Sequence, residues 1–315
     1  MVLREMMFGL HDEFEYYRCA SCGCVQITNM LEDMGRYYPP QYYAYAEQQD
    51  QYLFPRLSHA RVLARRCLTN LKLSRSSLIR EFALHLGRGP TLPYWLQLFP
   101  KPVFTWKRVL EVGCGAGRHL LTLRDCGFNR LMGVDPFVPS SISYDGGVNV
   151  LRQTVGETEG KFDLVMLHHA YEHVVDPVVT LRKVRRLLAR GGQVLIRIPL
   201  ADSWAAGFYG ANWVQFDAPR HLFLHTHRSM EIVAGLAGLT IIRVEYDSSE
   251  FQFVGSELYR RGQPLHCGDN SVSVEERIGC APEDLRRFGE RARELNRTKQ
   301  GDQACFVLIA SSEKC

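Results

Sequence analysis

Three groups of residues in this 315-residue chain have the types and spacing to do chemistry. The first is Glu111-Val112-Gly113-Cys114-Gly115-Ala116-Gly117, which ends an apolar run and precedes a helix-like stretch from Arg118. Glycine lacks a Cβ, so such a loop can turn sharply and bring its backbone close to a ligand. A helix beginning there adds unpaired N–H groups and a partial positive charge. The second is Asp135, at the end of Gly133-Val134 and just before Pro136. Alone it reads as a turn former. With the glycine loop upstream it reads as a carboxylate accepting hydrogen bonds from both hydroxyls of a ribose. The third is the run His168, His169, Tyr171, Glu172 and His173. A helix starting near His169 would put His169, Glu172 and His173 on one face. Histidine has the intrinsic pKa to take a proton from a hydroxyl near neutral pH, which makes His173 and His169 candidate bases. Glu172 reads more readily as the residue that orients the neighbouring loop, and His168 is assigned with Pro136 to the ligand of the glycine loop.

The loop alone is a weak signal, and its spacing is what discriminates. The dinucleotide fingerprint G-x-G-x-x-G would need its third glycine at position 118, which is Arg118. Here the third glycine is Gly117, and an acid, Glu111, stands two residues before the first. A nicotinamide-dependent oxidoreductase is disfavoured on that spacing.

Positioning these groups requires alternating strands and helices. Strands are expected at Arg108–Val112, Arg130–Val134, Phe162–Leu167, Gln193–Ile198, Thr240–Tyr246 and Ala304–Ile309, and helices at Arg118–Asp125, Asp176–Ala189, Arg228–Leu236 and Pro282–Leu295. That alternation predicts an α/β fold around a mainly parallel sheet. Gly191 is expected to stop the second helix in a left-handed conformation. Leu63, Cys67, Leu71, Leu78, Phe82 and Leu86 recur at helical spacing, until Gly87-Arg88-Gly89-Pro90 ends the pattern. Upstream lie Cys19, Cys22 and Cys24, then Tyr37, Tyr38, the turn-marking Pro39-Pro40, and Tyr42, Tyr43 and Tyr45. The tyrosines near Tyr42 read as a lid over the site or as packing between a small domain and its neighbour. Gly255–Gln303, between the last two strands, is the hardest stretch to place.

With these motifs in hand, the chain resembles the class I methyltransferases that depend on S-adenosylmethionine (SAM). Glu111 to Gly117 has that family's E-x-G-x-G-x-G form. Tyr171-Glu172-His173-Val174-Val175-Asp176-Pro177 is similar to its L-E-H-V-x-D-P segment, and Leu187-Leu188-Ala189-Arg190-Gly191-Gly192 to its L-x-P-G-G turn. Trp213 and Asp217-Ala218-Pro219-Arg220-His221-Leu222 resemble the W…D-x-P-R-H-L segment of a bacterial subgroup acting in glycan or secondary-metabolite pathways. The resemblance implies a Rossmann-like sheet with helices on both faces, over residues 107–315. Ahead of it stand a Cys- and Tyr-rich module at 1–46 and a helical segment at 47–106. It implies SAM held by Glu111, Gly113, Gly115, Gly117, Asp135, Pro136 and His168, with His173, His169 and His221 as catalytic candidates. Trp213 and Phe216 are expected to wall a substrate pocket, with Arg220 meeting anionic groups or held as a loop anchor.

The resemblance further implies methyl transfer to a small-molecule or glycan-linked acceptor, at oxygen or, as in sugar methyltransferases, at carbon. A methyltransferase-like protein serving as an inactive scaffold is the alternative; it would have no need to keep Glu111, the three glycines and Asp135. Subgroup members often begin with a zinc-ribbon-like module, for which Cys19, Cys22 and Cys24 supply three ligands and His11 stands upstream. A structural zinc site takes four, so the motif reads equally as a tight turn without metal. Some ubiquinone-pathway O-methyltransferases bind a divalent metal through E-x-x-E-H; here His169 replaces the first glutamate, against magnesium's preference for oxygen.

Composition fits these expectations. Hydrophobic residues make up 46% and charged residues 23% of the chain, enough for a sizeable core. The net charge of +4 is scattered, whereas binding nucleic acid needs a concentrated basic stripe. No apolar run approaches a membrane span, and the first ten residues lack a signal peptide's pattern. The expected setting is cytoplasmic, where the ten cysteines are thiols or metal ligands. Nothing in the sequence sets an oligomeric state.

Overall fold

The computed structural model describes residues 1–31, 33–39, 58–85, 91–266 and 272–311. Its N-terminal strands are β1 (Val2–Arg4), β2 (Glu13–Arg18) and β3 (Val25–Ile27). The central strands are β4 (Val109–Val112), β5 (Leu131–Val134), β6 (Ile142–Tyr144), β7 (Val148–Leu151), β8 (Phe162–His168) and β9 (Leu188–Pro199). Three more follow: β10 (Phe223–Leu224), β11 (Leu239–Tyr246) and β12 (Gln303–Ala310). Eight strands form one sheet in the order β11-β12-β9-β8-β4-β5-β7-β6. β4 pairs parallel with β5 and β8, β5 with β7 and β8 with β9, while β12 and β11 close one edge antiparallel and β6 the other. This is the expected Rossmann-like α/β sheet.

Alternation along the strands divides the core between the two faces of the sheet. Val109, Leu164, Met166 and Leu195 point to one face, where α3 (Arg118–Asp125) brings Leu120, Leu121 and Leu123. Leu110, Val165, Leu167 and Ile196 point to the other, under α4 (Pro177–Leu187) and α6 (His227–Leu236). Because β4 is apolar and buried at every position, its end must leave the sheet as a loop, and that loop is the glycine run. The chain returns on opposite sides of β4, through β5 and through β8, so a crevice opens at the carboxyl ends of these three strands.

Several elements depart from the sequence expectation. α4 stops at Leu187 instead of Ala189, because Leu188 already pairs with Phe162. Gly191, at φ +73°, therefore lies inside β9 and does not stop the helix. With Gly192 it absorbs a register shift opposite Phe162–Leu164, where a Cβ on Gly192 would come within 2.8 Å of the Phe162 carbonyl. The helical stripe divides into α1 (His59–Lys72) and α2 (Ser77–His85), with Leu63, Leu78 and Phe82 exposed; the buried residues are Thr69, Leu73 and Ala83. The stretch Gly255–Gln303 holds the expected last helix as α9 (Pro282–Arg297), preceded by two helices that were not expected, α7 (Phe251–Arg260) and α8 (Val274–Arg277); α5 (Trp204–Tyr209) lies ahead of them. Pro40, the tyrosines Tyr42, Tyr43 and Tyr45, Leu86, Gly87–Pro90 and the expected boundary at 46/47 lie outside the described residues.

The N-terminal strands form a second sheet, β1-β2-β3-β10, so that β3 is paired with Phe223–Leu224. Leu3, Tyr16, Val25 and Ile27 pack in one core with Trp213, Phe216 and Leu222. Among the described residues, no helix is long and apolar enough to cross a membrane.

Candidate active site

The glycine loop is held open by its backbone. Gly113, Gly115 and Gly117 all have positive φ (+69°, +51° and +84°), where a side chain is strained. A Cβ on Gly113 would stand 2.5 Å from the Cβ of Ala170. Gly117 is the residue that starts α3. Asp135, 7% exposed, closes the loop from β5: its Oδ2 accepts from Gly115 N at 2.9 Å and its Oδ1 from Phe137 N at 2.9 Å. Each oxygen keeps a lone pair for a further donor. Glu111, 1% exposed, accepts from His119 Nδ1 at 2.7 Å through Oε1. These groups open on a cavity of about 560 Å³. Glu111, Gly113, Gly115, Asp135, Pro136 and His168 line it; Gly117 does not.

The histidine cluster is gathered by a different local structure from the expected helix. His169 adopts φ +47° at the end of β8, and Tyr171–His173 forms one turn of 3₁₀-helix. His169 Nδ1 lies 3.4 Å from Glu172 Oε1, and His169 Nε2 accepts from Arg197 Nη1 at 2.8 Å. A guanidinium only donates, so His169 carries its proton on Nδ1, facing Glu172. His173 Nδ1 donates to the Arg220 carbonyl at 2.8 Å, with the Tyr38 hydroxyl 3.2 Å away. Burial, followed by the nearby His221, holds His173 below the ordinary histidine range and keeps it neutral at pH 7. His221 Nδ1 donates to the Gln215 carbonyl at 2.7 Å, and its Nε2 faces Asp217 Oδ2 at 3.8 Å and Glu172 Oε1 at 3.9 Å. Glu172 is wholly buried. Burial pushes its carboxyl up, but His169, His173 and His221 outweigh burial and hold it below the usual carboxylate range.

A second cavity, of about 480 Å³, lies on the other side of this cluster. Its walls include Val214, Gln215, Phe251, Tyr259 and Val274, with His221 at the polar end. His169 and His173 line both cavities. Trp213 and Phe216 do not wall it. Trp213 is fully buried, with Nε1 donating to Asp302 Oδ2 at 3.2 Å, and Phe216 packs beside it; Val214 and Gln215, between them, face the space. Arg220 lines neither cavity and sits as the loop anchor that the sequence also allowed. It is completely buried, donating to Glu5 Oε1 at 2.7 Å, to Asp217 Oδ1 at 2.6 Å and to the Tyr37 carbonyl at 3.1 Å.

Cys19, Cys22 and Cys24 form a tight hairpin, with Cys19 N donating to the Cys24 carbonyl and Gly23 N to the Cys19 carbonyl. Cys24 is turned inward, its Sγ 4.0 Å from His225 Nδ1, while Cys19 and Cys22 are half-exposed. Among the described residues, two groups bring three metal-ligating side chains within 4.8 Å of one another: Glu111–His119–His168 and Glu172–His173–His221. The three cysteines are not such a group. Neither imidazole-rich set suits magnesium, and His169, at the first position of the E-x-x-E-H pattern, has Nε2 committed to a guanidinium.

The family model described as Methyltransferase domain matches residues 79–244, over half of the chain. The chain belongs to the class I SAM-dependent methyltransferases. The chain is 31% identical over 162 residues to the ubiquinone biosynthesis O-methyltransferase of Pseudomonas aeruginosa, covering 45% of this chain and 69% of that protein. It is 26% identical over 111 residues to the tRNA U34 carboxymethyltransferase of Alteromonas mediterranea, covering 30% of this chain and 33% of that protein. The matched segments thus span from a third to about two thirds of the length of these curated relatives. A SAM-dependent methyltransferase structure from Thermotoga maritima aligns with a TM-score of 0.41 at 19% identity, over 68% of this chain and 84% of that one.

The residues of the first cavity fit SAM. Glu111 Oε2 and both ring nitrogens of His168 are buried without a hydrogen-bond partner, and the loop leaves no room for a Cβ at Gly113. Three residues of the site escaped the sequence reading, His119, Arg197 and Asp247, and Tyr38 entered it only as one of a group of tyrosines. Arg197 had a visible signal, a charge inside the apolar run Val194-Leu195-Ile196-Arg197-Ile198. Tyr38 and Asp247 reach the site only through the tertiary fold.

Proposed function

We propose that this methyltransferase transfers the methyl group of SAM to an oxygen of a small-molecule acceptor bound in the second cavity. The observation that carries the reading is that His169 and His173 line both cavities, so an acceptor hydroxyl and the cofactor meet at the same two imidazoles. The mainly apolar wall of Val214, Phe251, Tyr259 and Val274 suits a compact, partly apolar acceptor.

Asp135 would take the ribose hydroxyls, the glycine loop would pass beside the cofactor, and Glu111 and His168 would hold its amino-acid end. When bound, SAM supplies an electrophilic methyl on a sulfonium centre, and the protein supplies orientation. Holding both reactants in line accounts for roughly 7–11 kcal/mol of barrier. His173, neutral and with Nδ1 anchored on the Arg220 carbonyl, presents Nε2 to accept the hydroxyl proton. Glu172 then stands beside the imidazolium that results. His169 is a positioning residue, because Arg197 already occupies its Nε2. His221 anchors on Gln215 and borders the acceptor space. The glycan-linked acceptor remains within this reading wherever one sugar unit fits the second cavity. The zinc-ribbon role of Cys19, Cys22 and Cys24 would be a separate structural feature of the N-terminal hairpin.

The test is transfer of labelled methyl from SAM to a panel of phenols, catechols and simple glycosides, with bulk tRNA as a parallel substrate. Label on a low-mass hydroxyl, falling about 10²–10⁴-fold in kcat for His173→Ala at unchanged S-adenosylhomocysteine affinity, is the expected result. Label on tRNA alone would contradict the small-molecule assignment.

A further inference from the structure

The second cavity holds a cation that the methyl transfer itself does not use. Arg277, at the end of α8, lines it and is half-buried. Its guanidinium donates through Nη1 to the Leu265 carbonyl at 2.9 Å and through Nη2 to the Pro264 carbonyl. Carbonyls carry no net charge, so the positive charge is not neutralised there. Among the described residues Arg277 makes no ion pair. Glu276, its neighbour on α8, is turned back to accept from the Ser273 N–H at 2.9 Å. Asp217, the carboxylate in the cavity wall, is already occupied, because Arg220 Nε donates to both of its oxygens at 3.0 Å. Arg277 thus keeps N–H groups free after its two backbone bonds, beside the apolar side chains of Val214, Phe251 and Val274. Such a fork matches a planar anion.

The fork is braced from behind. Leu265 N donates to the Met6 carbonyl at 2.9 Å and His266 N to the Met7 carbonyl at 2.7 Å, so the two acceptors of Arg277 are held on the N-terminal segment. The direction of the guanidinium is therefore set before a ligand arrives. None of the described residues between 264 and 277 lines the cofactor cavity, whereas His169 and His173 line both. The acceptor space has a cationic wall away from the cofactor and an imidazole wall shared with it. His266, beside Arg277 in the first wall, is held below the ordinary histidine range by burial and then by the charges of Arg220 and Arg277, against Asp217. It stays neutral at pH 7 and adds no second positive charge. One cation is left for the ligand, and a carboxylate carries the single negative charge that matches it. A doubly charged phosphate would bring a charge with no partner.

We propose that Arg277 anchors a carboxylate of the acceptor, so that the substrate is a hydroxy acid with its acid end on α8 and its hydroxyl turned to His173. The inference rests on the reading that the second cavity holds a small-molecule acceptor, and it adds the charge and the orientation of that acceptor. Arg277 lies away from the reacting atoms, so its loss acts on acceptor binding and on the choice between acceptors.

The experiment is calorimetric titration of the full chain, saturated with S-adenosylhomocysteine, with three phenols of similar shape and different charge: 4-hydroxyphenylacetate, 4-ethylphenol and tyramine. Wild type is expected to bind the acid at least tenfold more tightly than the neutral phenol, and the amine most weakly. Arg277→Met should bind the acid about tenfold more weakly than wild type and the neutral phenol within twofold of it. Arg277→Lys, which keeps the charge without the fork, should recover part of the preference. A merely structural role, bracing residues 264–266, would weaken all three phenols alike. Equal weakening of the acid and the neutral phenol in Arg277→Met therefore overturns the inference. So does equal binding of those two by wild type, or tighter binding of the amine. Each of these results leaves the small-molecule reading standing. Binding of none of the three phenols by wild type contradicts that reading and the inference with it.

Discussion

Arg197 Nη1 donates to His169 Nε2 at 2.8 Å, across the paired ends of β9 and β8. The same guanidinium donates through Nε to Asp247 Oδ2 at 2.5 Å, and the Tyr94 hydroxyl also hydrogen-bonds to Asp247. A line of polar contacts thus runs from Tyr94, ahead of the glycine loop, through Asp247 and Arg197 to His169 and on to Glu172. It fixes one tautomer at His169, and that tautomer points its proton at the buried carboxylate.

Arg197→Met should release this tautomer. Nitrogen-resolved NMR of the imidazoles is expected to show His169 protonated on Nδ1 in the wild type and a mixture of tautomers in the variant. Stability should fall by about 1–3 kcal/mol, because the mostly covered Asp247 carboxylate loses its charged donor. An unchanged His169 spectrum would refute the coupling.

Arg220 presents a related case with a different consequence. It is the only cation that the Glu5 and Asp217 carboxylates both contact among the described ion pairs; Arg220 and Glu5 are wholly buried and Asp217 is nearly so. Those carboxylates and Asp217's partner His221 tie the N-terminal segment to the loop whose Val214, Gln215 and His221 line the second cavity. Arg220→Met leaves two buried carboxylates uncompensated and should cost about 3–5 kcal/mol in urea unfolding. A change under about 1 kcal/mol would show that water reaches this group.

Asp302 should give the protein a pH dependence of unusual sign. Burial raises its carboxyl from 3.8 to about 6, outweighing the donor at Trp213 Nε1. Between those values the folded protein holds a proton that the unfolded chain has released. Stability from this group is therefore complete at lower pH and is lost as pH rises through about 6, by about 3 kcal/mol. Asp302→Asn keeps an acceptor for Trp213 and should be the more stable protein at pH 8, with the difference vanishing near pH 4. Parallel urea-unfolding profiles for the two proteins would contradict this.

The parts legible in the sequence are those governed by local pattern. Apolar runs of four to seven residues gave the central strands, and α3 has the expected bounds because a glycine loop on one side and Gly127 on the other leave no choice. The turn at Gly113–Gly117 was readable because its conformation depends on glycine itself. Trp213 and Phe216 were misplaced for the opposite reason, and Arg220 stayed open between a ligand contact and a loop anchor. A large aromatic or a cation near a site has the same sequence signature whether it faces a ligand or is buried, and here the N-terminal strands cover all three. The cover comes from residues about 200 positions away, as in the bond from the Tyr16 hydroxyl to the His221 carbonyl. The left-handed turn at His169 was invisible for a similar reason, since its hydrogen-bond partner, Arg197, lies on the adjacent strand.

The central claim is that the glycine loop and Asp135 form a SAM site. Calorimetric titration of the wild type and Asp135→Ala with S-adenosylhomocysteine, and of the wild type with NAD, tests it most directly. The account predicts one-to-one micromolar binding of S-adenosylhomocysteine by the wild type, at least tenfold weaker binding by Asp135→Ala, and no binding of NAD. Binding of NAD without S-adenosylhomocysteine, or equal S-adenosylhomocysteine affinity in the two proteins, would contradict it.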